Sequence, residues 1–542
     1  MKSVLIIGAG PVGLVMAAEL ARHGITSRII DRLTAPSPFC RALGITPRTL
    51  EVWEDMGISR EAIDAGIWLD RLHVEVEGFA PQDFNDDLSD IPFATLCLPQ
   101  NETERILTAH LLRFGITVER GVSLEMLTQD AEGVTVTLDH NNEKKEEAAF
   151  RYVIGCDGAH SKVRKLAGID FEGESFPFEF MLADVRIDWD LPKGKSFQAI
   201  RPVQDSAPDF FVAVPLPQPN RYRVSMLAAP ELKKDTAETG TEHGIQSERP
   251  APALDHFQAI ANRLVTQPAR LSDIKWSSIF RISTRLATRY REGHVFIAGD
   301  AAHIHPPTGG QGMNTGIQDA YNLAWKMALV LKDAAPESLL DSYNAERREV
   351  GMNIIENTLK ASLNKDANGF RSGRLSDTQI LLSYRNSEWV SHEEIQITGA
   401  NTLQAGDRAP DCTGLRRKGV GFPFRLFDIL QGTQHVLIID VSHNEEQAIE
   451  ELSAWALHTD LPASFIRIVA IGQLSTINIA GIGISYIYDP EGTFAGVYGS
   501  TSGAAWLVRP DGYIGWCSQR WQSPGITEYL EKIFGTVSLV QS

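Results

Sequence analysis

Cysteine is scarce in this 542-residue chain: Cys40, Cys97, Cys156, Cys412 and Cys517 are odd in number, far apart and without a C-x-x-C pair. That pattern excludes a disulfide framework and a zinc ribbon, and makes a reducing cytoplasm the simplest expected home. Positive charge is also short, with 51 Lys and Arg against 69 Asp and Glu and a net charge of −18. No nucleic-acid partner and no polybasic membrane-surface role are expected. Long apolar runs are missing too. The uncharged stretch Ser3 to Ala18 behind Lys2 imitates a signal peptide, but Gly8, Gly10, Pro11 and Gly13 suit a strand, a turn and a helix start instead. No other uncharged run reaches the ~20 apolar residues of a membrane span. What remains, 43% hydrophobic and 22% charged residues, is globular in profile, and the length gives a prior of three or four domains.

The N-terminal stretch carries the first chemical signal. Val4 to Ile7 reads as a buried parallel strand and Leu14 to Arg22 as a helix ending at Gly24. Between them, Gly8-Ala9-Gly10-Pro11-Val12-Gly13 fits G-x-G-x-x-G: a glycine for the turn, one for approach of a pyrophosphate, one for helix–strand packing. The helix N-terminus offers free N–H groups to phosphate. A second strand, Thr26 to Ile30, runs into Asp31, where an acid would accept a ribose hydroxyl. Strand, glycines, helix, strand and acid in one unit predict a dinucleotide site, without separating NAD from FAD.

Further segments bear on that choice. Cys40 to Glu51 sets Arg41 and Arg48 beside a helix start, where they could meet phosphates or simply border a capped surface helix. Gln100 precedes a predicted helix with Asn101 as N-cap and Glu104 closing a box-like cap. Tyr152 to Gly158 is a strand running into Asp157 and Gly158, and Val295 to His303 repeats the pattern with Asp300. Then come Pro306, Pro307, Gly310, Gly312, Met313 and Asn314. The prolines fix φ, the glycines permit close approach, and the next helix points its N-terminus back into the loop. That helix is expected to bury Ile317, Ala320, Leu323, Ala324, Met327, Ala328 and Leu331 on one face. His303 and His305 lack companions for a metal shell, so no metal is expected. No second complete G-x-G-x-x-G exists; Gly481-Ile482-Gly483 lacks the third glycine.

Phe178 to Trp189, Ser196 to Arg201, Asp209 to Val214 and Arg221 to Leu227 read as strands of an antiparallel sheet, and Lys233 to Arg249 as a polar loop. Tyr222 could present its hydroxyl to a phenol, against the plainer reading of a packed strand tyrosine. Gly369 to Arg374 reads as a linker. In the tail, strand (Val436 to Val441), helix (Glu445 to Leu457), strand (Phe465 to Ile471), a hairpin turning at Pro510-Asp511-Gly512 and a helix from Ile526 to Phe534 follow in order.

In this order the segments resemble the single-component FAD-dependent aromatic hydroxylases (class A flavoprotein monooxygenases), and the tail resembles that of the phenol hydroxylase and pentachlorophenol monooxygenase branch. The likeness is distinctive over 1–60, 98–170 and 290–350, weak over 176–285 and partial over 403–542. It implies an α/β plus α+β protein: a Rossmann-like FAD-binding domain (1–175 and 286–395) with an inserted antiparallel-sheet substrate domain (176–285), and a thioredoxin-like C-terminal domain (403–542). It also implies FAD, NADPH or NADH as a transient electron donor, and O2 and a small aromatic molecule as co-substrates, joined through a flavin C4a-hydroperoxide.

Carried across by the resemblance, Gly8, Gly10, Pro11 and Gly13 match the pyrophosphate turn, and Asp31 and Arg32 the pair beside the adenosine ribose. Arg41 matches an arginine near phosphates and flavin, Gln100 a cofactor-contacting glutamine, and Leu124 a backbone contact to adenine. Asp157 matches the D-G acid near pyrophosphate and nicotinamide, and Asp300 the G-D acid on the ribityl chain. Backbone N–H groups of Gly312, Met313 and Asn314 would face the negative charge of reduced flavin. The tail lacks a C-x-x-C and is expected to be structural or homodimer-forming. Two other readings stand beside this one: an FAD dehydrogenase or reductase without oxygen transfer, and a non-catalytic flavin-holding protein. Simple phenols, halophenols, phenylpropanoid acids and polycyclic polyketides all remain open as substrates.

Overall fold

The computed structural model describes residues 4–36, 42–85, 87–88, 91–141, 144–192, 194–203, 208–232, 244–245, 250–306, 310–363, 374–393, 403–458, 464–477 and 483–535. Arg41, Pro307 and the expected linker up to residue 373 lie outside them. The fold is mixed α/β, in two compact units: Met1–Ala21, Thr26–Tyr321 and Arg347–Gln379 form the first, and Arg22–Ile25, Asn322–Glu346 and Ile380–Ser542 the second.

The first unit is built on a six-stranded sheet in which Val4–Ile7 is central. It pairs in parallel with Ser27–Asp31 on one side and Tyr152–Gly155 on the other, and Val153 continues in parallel to Val295. All four residues of Val4–Ile7 are buried, as a strand covered on both faces requires. The helix Pro11–Arg22 returns the chain between the first two strands. Each strand that ends in a motif acid or glycine therefore ends at the same edge. Glu119–Arg120 extends the sheet beside Ile30 and Asp31, and leads into a three-stranded antiparallel ribbon of Val122–Gln129, Val134–His140 and Lys144–Phe150.

A nine-stranded sheet makes the rest of the unit. Two 18-residue strands, Phe171–Asp188 and Arg270–Ala287, pair antiparallel along most of their length, followed by Arg221–Leu227, Asp209–Pro215, Ser196–Arg201, Arg71–Val76 and Gln82–Asn85. Side chains alternate between faces. Met181, Val224, Phe211, Phe197 and Phe257 of the helix Leu254–Leu264 form a core on one face. Three expectations need correction. Arg71–Val76 and Gln82–Asn85 join this sheet from a distant part of the chain, which no local pattern signals, and Ser196–Ile200 pairs with Leu72–Val76 in parallel. Within the expected loop 233–249, Gly244–Ile245 pairs with Arg281 and Phe280, an edge bridge too short to show periodicity. The helix Gln100–Leu112 starts two residues early with Pro99 as N-cap and no side-chain cap, so Asn101 is exposed rather than capping.

The second unit holds a sheet in the order Ser391–His392, Ile514–Ser518, Ala505–Val508, His435–Asp440, Ile466–Gly472, Ile484–Tyr488. His435–Asp440 and Ile466–Gly472 are parallel, joined through the helix Glu445–His458; the hairpin strands Ala505–Val508 and Ile514–Ser518 are antiparallel. Hydrophobic clusters lie on each side of it. Among the described residues no helix is long and apolar enough to cross a membrane.

One ion cluster fastens the ribbon to the parallel sheet. Arg28, its side chain 8% exposed, pairs with Glu119 and with Glu146, both at 2.6 Å, and Glu146 meets His140 at 2.8 Å. The bond to Arg28 holds the Glu146 carboxyl down at about 2, against 4.5 ordinarily. A depressed carboxyl stabilises the fold above its unfolded pKa and loses that contribution as pH falls towards its folded one. Glu146→Gln is accordingly expected to cost about 1 kcal/mol in urea unfolding at neutral pH, the deficit shrinking as pH is lowered from 4.5 towards about 2. A deficit constant across that window would refute the assignment.

Candidate functional site

The glycine turn has the geometry its sequence asks for. Gly8 sits at φ +102°, donates its N–H to Ile30 O at 2.9 Å, and has no room for a side chain: a Cβ there would lie 2.3 Å from Cys156 O. A Cβ on Gly13 would lie 1.9 Å from Gly8 O, so helix and turn touch backbone to backbone. At Gly10 the position of a Cβ is open, with no atom within 4 Å. Pro11 begins the helix, where its missing N–H costs nothing. The Asp31 carboxylate closes the turn: Oδ2 accepts the Ala9 N–H and Oδ1 the Leu33 N–H, both at 2.8 Å. Arg32 beside it is exposed. Leu124 is buried in the ribbon opposite Leu138, shortly after the strand that pairs with Asp31.

Two more acids end neighbouring strands. Asp157 Oδ2 accepts the N–H groups of Lys162 and Val163 at 2.7 and 3.2 Å, and burial pushes its carboxyl above the usual range. Asp300 is exposed on the 3-10 turn Gly299–Ala301. Arg164 ties the two loops together, donating to Ala159 O at 3.0 Å and Ala301 O at 2.8 Å, with its guanidinium 3.8 Å from the centre of the Phe171 ring. Beneath the turn lies Asp319, fully buried. Its Oδ2 accepts the Gly299 N–H at 3.0 Å and meets His303 Nε2 at 2.7 Å, and its Oδ1 takes Arg347 Nε at 2.7 Å. Burial pushes this carboxyl up, but His303 and the Arg347 guanidinium outweigh it and hold it below the usual range.

The helix Gln311–Leu331 brings in the next segment. The buried Asn314 side chain accepts the Thr46 N–H at 3.0 Å and donates to Gly44 O and Gly310 O, both at 2.8 Å. Gly312 and Met313 precede it in the first turn, where N–H groups have no intrahelical acceptor. Gln100 accepts the Ala42 N–H at 3.1 Å and donates to Glu104 at 2.9 Å. Arg48 is buried against Glu51 at 2.8 Å, on a buried rather than a surface helix, and its N–H goes to Thr378 O. Gln379, left-handed at φ +61°, joins Thr46, Thr315 and Gln318 through its side chain.

A cleft of ≈ 250 Å³ opens against the large sheet, lined by Pro47, Leu72, Gln198, Val212, Val214 and Asp377 among others. Tyr222 does not line it. Tyr222 is 4% exposed, its ring 5.1 Å from Trp189 and edge-on, within the core that contains Phe211 and Phe257. In register it stands opposite Pro215, whereas the cleft residue Val214 stands opposite Arg223. The packed reading of Tyr222 replaces the catalytic one, because alternation turns it to the far face. Arg223 occupies the cleft-side face, paired with Asp184 at 2.5 Å and 4.9 Å from the Trp276 ring centre.

These features fit a dinucleotide: a glycine cradle with an open flank at Gly10, a helix N-terminus behind it, and three acids at one sheet edge. The family model "FAD binding domain" matches residues 1–358, and "Aromatic-ring hydroxylase, C-terminal" matches 402–537. The chain belongs to the FAD-dependent aromatic-ring hydroxylases. The hydroxylase is 31% identical over 98% of both chains to a 12-dehydrotetracycline 5-monooxygenase/anhydrotetracycline 6-monooxygenase from Streptomyces rimosus. It is 32% identical to the pentachlorophenol 4-monooxygenase of Sphingobium chlorophenolicum, over 94% of this chain and 93% of that one. The solved structure of the anhydrotetracycline hydroxylase OxyS from Streptomyces rimosus covers 98% of this chain and 99% of its own, with a TM-score of 0.71 and 29% identity.

Sequence reasoning missed Asp319, Arg347 and Arg164. They lie outside the motif glycines and acids; Asp319 alone carried a signal, as an acid on a largely apolar helix, whereas Arg347 and Arg164 sit on charge-rich helices where they do not stand out. Asp319→Asn would leave the hydroxylase with Arg347 buried against a neutral partner, at an expected cost of ~3–5 kcal/mol in unfolding free energy. Flavin absorbance should show reduced FAD retention. Unchanged stability with full flavin content would refute this role.

Proposed function

We propose that this FAD-dependent monooxygenase uses NADPH or NADH and O2 to hydroxylate a phenolic or polycyclic aromatic substrate bound in the cleft above the sheet. The observation that carries the reading is the convergence, within one compact unit, of the glycine turn, the Asp157 and Asp300 loops and the Gln311 helix start, with a cleft of mixed apolar and polar lining beside Asp377 and Pro47. The names of the relatives support an aromatic substrate: one acts on anhydrotetracycline, another on pentachlorophenol.

In this reading Gly8, Gly10, Pro11 and Gly13 hold the pyrophosphate of FAD. Asp31 and Arg32 hold the adenosine ribose, Leu124 the adenine and Asp300 the ribityl chain; Arg41 and Gln100 flank the cofactor. Asp157 serves the pyrophosphate and the incoming donor. When bound, FAD supplies hydride acceptance and activation of O2. The chain's own work is orientation, exclusion of water by the apolar cleft walls, and stabilisation of negative charge by the first-turn N–H groups of Gly312, Met313 and Asn314.

The domain reading goes with it: 1–175 and 286–395 as FAD-binding, 176–285 as the substrate sheet, 403–542 as a thioredoxin-like tail. Support for the tail comes from its parallel pair joined by a helix and its antiparallel hairpin. Burial pushes the Cys412 and Cys517 thiols up to about 12, so the tail is structural or dimer-forming rather than redox-active. A cytoplasmic location completes the proposal.

The test is a screen of phenols and polycyclic hydroxyarenes for substrate-stimulated NAD(P)H oxidation, with labelled O2 and product mass. One labelled oxygen atom per product molecule is expected. Oxidation of the donor with no label in any product would favour the reductase reading instead.

A further inference from the structure

The net charge of −18 conceals a local excess of the opposite sign. Between Arg408 and Arg425 five basic residues stand against one acid, Asp411. The second unit folds the middle of this segment into a hairpin. Leu415 and Phe424 exchange N–H···O bonds at 3.2 and 2.6 Å, and Arg416 exchanges two more with Tyr488, both at 2.9 Å, at the end of the edge strand Ile484–Tyr488. At the corner Val420 donates its N–H to Arg417 O at 3.1 Å, with Gly419 at φ +82°, the left-handed position such a turn favours. The base is anchored, because Leu415 is fully buried in the core of the unit and Asp411 neutralises Arg425 at 2.6 Å. The tip has the reverse character. Arg417, Lys418, Phe422 and Pro423 are exposed, and the Phe422 ring, 63% exposed, lies 5.4 Å from that of Phe424. Arg416, Arg417 and Lys418 form no ion pair among the described residues; Glu491 stands at the base beside Gly414, and Asp428 is turned to the Arg425 N–H.

We infer that this hairpin is a peripheral anchor for an anionic lipid surface, its cations meeting headgroup phosphates and Phe422 entering the headgroup boundary. Such a surface answers both features of the tip: it attracts unpaired cations across a Debye length and takes up an exposed ring. Each Lys or Arg beside an anionic bilayer strengthens binding about fivefold, so the three together supply about a hundredfold, and the ring adds a share that salt does not screen. A second copy of the chain is a poorer occupant. A stable dimer needs ~20–30 residues a side, and the tip from Arg417 to Pro423 is a small fraction of that. The acidic remainder of the chain is repelled by the same lipid, which confines the contact to this hairpin and orients the protein tip-first. The expectation of no polybasic membrane-surface role rests on the total charge, and the total averages over this segment. Contact of this kind is reversible and calls for no membrane-crossing helix.

The experiment is flotation of the full-length, FAD-loaded enzyme with vesicles of phosphatidylcholine alone and with vesicles in which about a third of the lipid is phosphatidylglycerol, at low and high salt. The enzyme should float with the anionic vesicles at low salt, stay in solution with the neutral ones, and be released by high salt. Replacing the three cations together, Arg416→Gln, Arg417→Gln and Lys418→Gln, should lower the partition coefficient about a hundredfold. Phe422→Ser should lower it severalfold with the salt dependence kept. Flavin absorbance and melting temperature should match the native enzyme in both variants. Where the triple variant melts lower, Arg417→Gln with Lys418→Gln, both on exposed positions, takes its place with an expected drop of about twenty-fivefold. No flotation with anionic vesicles, equal flotation with neutral ones, or a charge variant within about twofold of the native enzyme would overturn the inference. A native dimer that the charge variant converts to monomer in light scattering, with vesicle binding unmoved, would overturn it in favour of a second copy. None of these results touches the hydroxylase reading, because the hairpin contributes no residue to the proposed cofactor site.

Discussion

The cofactor end of this protein depends on a negative charge where water cannot reach it. An isolated buried carboxylate is among the costliest groups a fold can carry, yet Asp319 is fully buried and ionised because His303 and Arg347 meet both of its oxygens. Its remaining bond goes to the Gly299 N–H, which fixes the turn that presents Asp300. Packing enforces the same geometry. A Cβ on Gly316 would lie 2.7 Å from Val12 Cγ2 and 2.9 Å from Gly299 Cα. The helix after the glycine turn, the Asp300 turn and the helix after the flavin loop are therefore in contact at one point, and Asp319 sets their orientation there. Three motifs far apart in sequence are brought together by that contact.

The second unit repeats the strategy in its own interior. Arg509 is held by Glu346 through a bidentate pair at 2.7 and 3.0 Å and by Asp511 at 2.5 Å, and Lys326 reaches Glu346 at 2.7 Å, all fully or almost fully buried. Burial lowers the Lys326 ammonium to about 8 even with Glu346 beside it. Such clusters add little net stability compared with an apolar core, but removing one member leaves a naked charge. They therefore specify an arrangement more than they strengthen it. They also account for the character of the Gln311–Leu331 helix, whose polar residues Asn314, Thr315, Gln318, Asp319, Asn322 and Lys326 are as buried as its apolar face.

How far the sequence could be read follows from what each signal depends on. The strand Val4–Ile7, its glycine turn and the strands ending in Asp157 and Asp300 are local patterns with a local physical cause, and they were legible within a residue or two. Ser196–Arg201 and Arg221–Leu227 were legible in full, because alternation is also local. The 18-residue strand Arg270–Ala287 was not, since its mix of charged and apolar residues reflects two different environments along one strand. Arg71–Val76 was not, because its partner Ser196–Ile200 lies more than a hundred residues away. The buried ion clusters were read as an amphipathic helix, since a charge on a helix looks the same in sequence whether it faces water or a partner. Tyr222 was already favoured as a packed strand residue from the sequence, and its register agrees; its neighbour Arg223, one position on, stands opposite the cleft residue Val214.

That one-residue distinction has a wider consequence for how such a sheet serves chemistry. Along Phe210–Pro215 the burial alternates strictly, Phe211 and Ala213 going to the core and Val212 and Val214 to the cleft side. Large-to-small changes on the core face cost about 2–5 kcal/mol each. The cleft-side positions carry no such penalty, because they line an open cleft rather than the packed core. The sheet can therefore change what it binds at Gln198, Val212 and Val214 while Phe197, Phe211 and Tyr222 hold the strands in place. The cofactor edge has no comparable freedom, since Gly8, Gly13 and Gly316 lack room for even a methyl group. A rigid glycine edge beside a sheet with one permissive face separates the part of this fold that cannot vary from the part that can.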